Sequence, residues 1–337
     1  MTNLSTTYLG NQLKNPIIVG ASNLSTDINN LKQLEDAGAA AIVYKSLFEE
    51  QINLEQALMY DELTEYNERN AEMTSLFPNI EHSGPQEHLN NLRKAKEAVS
   101  IPLYASLNCI YKETWVEYAK LIEQTGVDGL ELNIFTSPKD FDTDAATVEQ
   151  RRLDIIKEIK KSVKIPISVK LSYFYSNPLN FIKKVDETGI DALVLFNRFY
   201  QPDINIANKT HISSHNLSNT EENKIPMRYA GLLFNNIKAS ICANSGIYEG
   251  ADVAKMLLAG ADCTQVVSTV YKNKISHISK MLKELETWMD ANNFKTIGDF
   301  KGLLSKKFTK DPYVYQRAQY IDLILKSTEM FNKYVLR

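Results

Sequence analysis

Ala259-Gly260-Ala261-Asp262-Cys263-Thr264-Gln265-Val266-Val267-Ser268-Thr269 holds the pattern that much of this chain repeats. A glycine closes an amphipathic stretch, where its tolerance of positive φ suits a helix C-terminus. An apolar run follows and reads as a strand buried on both faces. The run ends in small polar residues, and a new helical pattern begins. Three further segments echo the glycine step: Ala37-Gly38-Ala39-Ala40, Thr125-Gly126-Val127-Asp128 and Thr188-Gly189-Ile190-Asp191. A second signature marks other strand starts, with Pro16, Pro102 and Pro166 before Ile17-Ile18-Val19, Leu103-Tyr104-Ala105 and Ile167-Ser168-Val169.

Together the two signatures predict strands near 17–22, 41–46, 103–108, 129–134, 167–172, 192–197, 239–244 and 263–268. Helical patterns lie between most of them, at Asp27–Asp36, Glu87–Val99, Glu113–Gln124, Thr147–Ser162 and Leu179–Glu187. Strands alternating with helices imply a parallel sheet. Eight of them predict an α/β fold of the (β/α)₈ TIM-barrel type. An open doubly wound sheet is the competing arrangement, and the absence of G-x-G-x-x-G after the first strand weakens it.

Bulk properties agree with one large core. The chain has 337 residues, 44% hydrophobic and 23% charged, and a net charge of −3. That charge gives no reason to expect nucleic acid or an anionic membrane as partner. Cys109, Cys242 and Cys263 lie far apart and form no CxxC, so this chain alone is not expected to build an iron–sulfur cluster or a zinc site. No apolar run approaches the roughly 18 residues of a membrane span, and Met1 to Leu9 lacks a basic n-region and an apolar h-region. The expectation is a cytoplasmic enzyme without a metal. His82 and His88, and His211 and His215, are spaced in pairs but lack a third ligand.

Two intervals are long for simple connections, Leu47–Gln86 after the second strand and Arg198–Asn236 after the sixth. Such loops at the C-terminal side of a barrel cover or build active sites. The chain therefore divides into a barrel over residues 1–305, with an insertion at about 198–236, and a C-terminal helical extension over 306–337.

Catalytic groups of such barrels come from the strand C-termini. Here those ends read Ala21-Ser22-Asn23, Tyr44-Lys45-Ser46, Ser106-Leu107-Asn108, Glu131-Leu132-Asn133, Val169-Lys170-Leu171-Ser172 and Phe196-Asn197-Arg198. Two lysines and three asparagines thus converge on one rim. A lysine in an apolar strand is costly unless its charge is compensated. Lys45 and Lys170 could stabilise negative charge developing on a cofactor or an oxyanion. Asparagine presents a donor and an acceptor together, which suits an amide or imide edge. The last two strands end in Asn244-Ser245-Gly246 and Val267-Ser268, whose backbone N–H groups can address a phosphate.

These segments resemble the class 1 dihydroorotate dehydrogenase family, flavin enzymes on a TIM barrel. The similarity runs from about Tyr8 to about Ser305. It is clearest at Asn15-Pro16 through Lys45-Ser46, Glu131-Leu132-Asn133, Val169-Lys170-Leu171, Ser245-Gly246-Ile247, Gly260 through Lys272, and Phe294 through Gly302. The resemblance implies FMN, with its phosphate at Ser245, Gly246, Val267 and Ser268. It places Ala21, Ser22, Lys45, Ser46, Asn108, Asn133 and Lys170 about the flavin. Lys45, Asn133, Asn197 and Asn79 are implied to bind a dihydropyrimidine substrate, and Lys170 joins the catalytic set. It further implies a homodimer and the oxidation of dihydroorotate to orotate in pyrimidine biosynthesis.

The chain departs from the family at three places. The family's Asn-x-Ser-Cys-Pro or Asn-x-Ser-Ser-Pro carries the catalytic base, whereas this chain reads Asn133-Ile134-Phe135-Thr136-Ser137-Pro138. Counting from the asparagine makes Thr136 the base; counting back from the proline makes it Ser137. Of the family's substrate loop only Phe77-Pro78-Asn79 is recognisable, and the glycine-rich turn before the seventh strand is reduced to Ala230-Gly231-Leu232. Two other functions share the same fold signals: a flavin-dependent reductase of another cyclic amide or enone, and a flavin-free, phosphate-binding lyase or isomerase.

Overall fold

The computed structural model describes residues 2–53, 85–134, 141–198, 202–212, 217–316 and 318–326. Its strands in chain order are β1 (Thr6–Tyr8), β2 (Asn11–Leu13), β3 (Ile17–Val19), β4 (Ala41–Val43), β5 (Leu47–Phe48), β6 (Leu103–Asn108), β7 (Gly129–Asn133), β8 (Ile167–Leu171), β9 (Ala192–Leu195), β10 (Asp203–Asn205), β11 (Thr210–Ile212), β12 (Ser240–Asn244) and β13 (Cys263–Val266). The helices are α1 (Ile28–Asp36), α2 (Pro85–Ala98), α3 (Lys112–Glu123), α4 (Ala145–Ser162), α5 (Pro178–Asp186), α6 (Lys224–Leu233), α7 (Gly250–Ala259), α8 (Ser268–Asn273), α9 (His277–Ala291) and α10 (Ala318–Leu325). Parallel pairing runs β4-β3-β13-β12-β9-β8-β7-β6, and β4 also pairs β6, which closes the sheet. The result is the eight-stranded parallel barrel with surrounding helices that the sequence predicts.

The recurrent Gly-x-Asp has one structural job. Asp128 N–H donates to Leu103 O at 3.0 Å, and its carboxylate accepts from Leu103 N–H at 2.8 Å. Asp191 treats Ile167 the same way, at 2.9 and 2.8 Å, and Asp262 treats Ile241 at 2.7 and 2.8 Å. Each carboxylate also holds a lysine: Lys96 at 2.6 Å, Lys160 at 2.5 Å and Lys301 at 2.7 Å. One residue thus pins an N–H at the start of the neighbouring strand, a donor the ladder leaves orphaned. The first echo has Ala40 in place of aspartate, and Asn15 fills the gap. Ala40 N–H still donates to Ile17 O, while the Asn15 amide accepts from Ile17 N–H at 3.0 Å and donates to Gly38 O at 2.7 Å.

Side chains alternate across each strand, so the register fixes which residues point inward. Ser106, Glu131, Ser168 and Ala192 are aligned across β6 to β9; Lys170, Val194, Cys242 and Cys263 across β8 to β13. The lower interior is apolar: Ile18, Ala41, Val43, Tyr104, Ala192, Val194, Cys242 and Cys263 form one buried cluster. The antiparallel β1–β2 hairpin plugs that end with Tyr8, Leu9 and Leu13, and Tyr8 meets Tyr104 edge-on at 5.7 Å. Its two-residue turn, Leu9-Gly10, has φ of 48° and 72°, the signs a type I′ hairpin turn requires. The larger apolar cluster lies between strands and helices.

Several expectations are corrected. Regular pairing of β3 and β4 stops at Val19 and Val43, so Ala21-Ser22 and Lys45-Ser46 sit on turns beyond the ladder. The interval 198–236 contains a β10–β11 hairpin and all of α6, which packs on β12. Ala230-Gly231-Leu232 is therefore helical, and Gly231 faces the Tyr315 hydroxyl; it is no turn beside a ligand. Beyond 305, Tyr315 packs on α6 and donates to Leu304 O at 2.8 Å, while α10 leaves Tyr320, Ile321, Leu323, Ile324 and Leu325 exposed. Met256 and Met281 fill the core as expected. Among the described residues no helix is long and apolar enough to cross a membrane.

Candidate active site at the C-terminal rim

Strand twist and register bring the singled-out residues to the C-terminal mouth of the barrel. Asn133, at the end of β7, and Asn197, two residues past β9, meet there: the Asn197 amide donates to Asn133 Oδ1 at 2.9 Å. Asn197 is set by its own backbone, whose N–H donates to Leu171 O at 2.7 Å. Its neighbour Arg198 is turned to a structural task, a two-point ion pair with Glu222 at 2.8 and 3.2 Å.

Lys170 lies inside the mouth with only 7% of its surface exposed. Its Nζ is 3.3 Å from Gln265 Oε1 and 3.5 Å from Glu131 Oε1. Gln265 Nε2 donates to Glu131 Oε2 at 2.6 Å. Glu131 and Gln265, which bracket Lys170 here, are not among the candidates the sequence pattern nominates. The signal was present: Glu131 lies two residues before Asn133 on the same face of one strand, a lone carboxylate in an apolar run.

Lys45 follows β4 and is half-buried, and burial lowers its pKa from the ordinary lysine value. Among the described residues no carboxylate pairs with it. Its neighbour Ser46 is buried against Ser106, Oγ to Oγ 2.6 Å. The turn is held because β5 pairs with the end of β6 at Leu107 and Asn108, and because the buried Glu49 carboxylate caps α3 through Ile110 N–H, Tyr111 N–H and Thr114 Oγ1. Behind Lys45, His88 packs edge-on to Tyr44 with centroids 5.4 Å apart. Burial, and then the Lys45 charge, push the His88 pKa down to about 4, so its ring is neutral at physiological pH. Burial and Glu87 push Tyr44 up to about 12.

Ser22 Oγ is buried without a partner in the fold, beside the half-exposed Ala21. At the end of β12, Ser245 and Gly246 take φ of 85° and 72°. Gly246 is there because the insertion crosses it: a Cβ would lie 2.4 Å from Asn223 N and 2.8 Å from Asn219 O. Asn223 is itself bonded to Asp252 at 3.0 Å, and Asn244 Nδ2 donates to Phe196 O at 2.7 Å. Val267 precedes α8, whose first residue, Ser268, accepts from Ser218 N–H at 3.0 Å. Lys272 donates to Ser218 O at 3.0 Å and lies 5.0 Å above the Tyr248 ring. Residues 217–219, not 230–232, are thus the segment that approaches the last two strand ends. Thr136, Ser137 and Asn79 lie outside the described residues, as do His82 and His215.

A family model described as dihydroorotate dehydrogenase matches residues 3–289, nearly the whole barrel. The chain belongs to the dihydroorotate dehydrogenase family. It is 28% identical to the catalytic subunit of dihydroorotate dehydrogenase B (NAD(+)) of Thermoplasma volcanium, over 91% of this chain and 100% of that protein. The corresponding subunit of Methanocaldococcus jannaschii is 25% identical over 89% and 97%. Dihydroorotate dehydrogenase A (fumarate) of Lactobacillus helveticus is 26% identical over 64% and 71%. The stretch after residue 289, with α10 and its apolar face, lies outside the dihydroorotate dehydrogenase match.

Proposed function

We propose that this chain uses FMN to oxidise dihydroorotate to orotate, with the C-terminal rim as its active site. The observation that carries the reading is the placement of Lys45, Lys170 and the bonded Asn133–Asn197 pair at the C-terminal ends of their strands in a chain of this family. The residues fit such a cofactor on two further counts. Lys45 is a partly desolvated cation with no carboxylate beside it among the described residues, and Ser22 Oγ is a buried hydroxyl without a partner. Both are satisfied by a polar, electron-rich ring system. A flavin-free lyase or isomerase would need neither lysine, and family membership favours the dehydrogenase.

Bound FMN would supply the two-electron redox chemistry, taking hydride from C6 of the dihydropyrimidine. The protein binds, orients and moves a proton. Ser245, Gly246, Val267 and Ser268 offer amides and a hydroxyl to the phosphate. Ala21, Ser22, Ser46 and Asn108 line the cofactor, while Lys45 and Lys170 favour the negative charge that reduction brings. Asn133 and Asn197, each bonded to the other, present an amide edge to the pyrimidine, with Lys45 and Asn79 completing its site. The Thr136 or Ser137 hydroxyl takes the C5 proton while its own proton passes to water. We assign the protein to the cytoplasm as a homodimer; the name catalytic subunit, carried by several relatives, supports a second, electron-accepting chain as well.

The test is anaerobic mixing of the FMN-loaded protein with dihydroorotate. Bleaching of the flavin absorbance is expected. A bound flavin that stays oxidised would exclude dihydroorotate as the substrate.

A further inference from the structure

Of the eight barrel strands, only β7 carries a carboxylate, Glu131, and it points into the barrel with 1% of its surface exposed. Sinking a carboxylate and an ammonium into a protein costs several kcal/mol per ion, and well-packed apolar residues in their place often stabilise a fold. The lower layers of this barrel use that apolar solution, with Tyr8, Tyr104, Ala192, Val194, Cys242 and Cys263. The layer at the mouth does not, so a charge is being kept there for a purpose other than packing.

The geometry says which charge. Gln265 accepts from Lys170 Nζ at 3.3 Å and donates to Glu131 Oε2 at 2.6 Å, so its amide bridges cation and anion. The amide has one sensible orientation, since a flip would set its NH₂ against the ammonium and its oxygen against the carboxylate. Glu131 Oε1 completes the ring as an ion pair at 3.5 Å, with no hydrogen bond of its own. Gly20 makes room: a Cβ there would lie 3.2 Å from Gln265 Oε1 and 2.9 Å from Val267 Cγ2. Side chains from β7 and β13, and one missing side chain after β3, therefore converge on the ammonium carried by β8. The Gln265 hydrogen bond takes one of its three protons, which leaves donors for a ligand beside the Glu131 charge.

We propose that Glu131 and Gln265 are positioning residues, which keep the Lys170 ammonium charged and in place at the barrel mouth for an electron-rich ligand. In its ligand this inference rests on the FMN reading above. In the charge state of Lys170 it does not. The other titratable groups on the barrel interior are Tyr8, Tyr104, Cys242 and Cys263, with Lys45 at the rim. Burial raises the pKa of both phenols and of the Cys263 thiol, so these three stay neutral near pH 8 and cannot replace Glu131 as counter-ion.

The experiment compares wild type with Glu131→Gln, an isosteric change that removes the anion, and with Glu131→Gln/Lys170→Met, which removes both charges and keeps the site neutral should the single variant fold poorly. The first readout needs no cofactor: NMR of lysine labelled at Cε follows Lys170 from pH 6 to 10 in the apo protein. Loss of the Glu131 anion should lower the pH at which the Lys170 signal titrates, relative to wild type. The second readout is FMN affinity by fluorescence at pH 6.5 and 8.5. It should be equal at the two pH values in wild type, fall about tenfold at the higher pH in Glu131→Gln, and be weak and pH-independent in the double variant. A Lys170 that titrates in Glu131→Gln as in wild type overturns the proposal, as does wild-type pH behaviour of FMN affinity in that variant. If the single variant does not fold, affinity in the double variant equal to wild type overturns it, and weak, pH-independent binding supports it. Should wild type bind no FMN, the FMN reading falls, and the apo titration still decides the inference.

Discussion

The two rims of the barrel are built on opposite plans. At the N-terminal rim Asp128, Asp191 and Asp262 repeat one arrangement, each clasping the start of the neighbouring strand and one lysine. At the C-terminal rim three strands close on asparagine, yet the side chains are put to different uses: a Lys45-Ser46 segment, an Asn133–Asn197 pair, an ion pair bridged by an amide, and a Ser245-Gly246 step at positive φ. A repeated device holds a shape that eight units share. Residues that each do something different belong to a ligand with no symmetry of its own. Conserved stability at one end and chemistry at the other is how this fold divides its labour.

The largest effect is expected at Gly246. In Gly246→Ala the new Cβ meets backbone of the crossing insertion, and positive φ adds its own cost, so a loss on the order of 4 kcal/mol is expected together with loss of FMN binding. Urea unfolding and a flavin titration check both. His88 sharpens the contrast through pH. Its folded pKa is depressed, so the unfolded chain takes up a proton first as pH falls, and stability drops from about pH 6.5 down to about 4. His88→Phe keeps the contact with Tyr44 and removes that proton, so its stability relative to wild type should improve by about 3 kcal/mol across this window. Urea midpoints at pH 7 and 4 measure it.

At the other rim, Asp191→Ala leaves Ile167 N–H and Lys160 without their partner. It should lower stability by about 2 kcal/mol and leave FMN stoichiometry unchanged in the cold, as thermal melts and titration would show. Asn197→Ala should do the reverse. Stability should barely move, while KM for the pyrimidine rises about tenfold, or ~1.4 kcal/mol, in steady-state kinetics. A fall in stability without a change in KM would erase the distinction between the rims.

The barrel was legible because its signals are local and repeated. Gly260 and Asp262 sit beside the strand they start, and an apolar run of four to six residues needs no partner to be recognised. The site was legible one strand at a time, as Lys45, Asn133, Lys170 and Asn197. What the sequence hid is what needs three dimensions. Gln265 reads as one polar residue in a strand until the closed sheet brings it to Lys170 and Glu131. Ala230-Gly231-Leu232 is the nearest counterpart of the family's glycine-rich turn, yet the amphipathic face of α6 and the packing of Tyr315 make it helix. The approach of Ser218 to Ser268 spans fifty residues and leaves no local trace.

Titrating the flavin-stripped protein with FMN, followed by fluorescence, shows whether the irregular rim is a flavin site. Saturable binding of one FMN per chain is expected, weakened at least tenfold in Glu131→Gln/Lys170→Met. A wild-type protein that leaves FMN fluorescence unchanged would contradict the flavin reading.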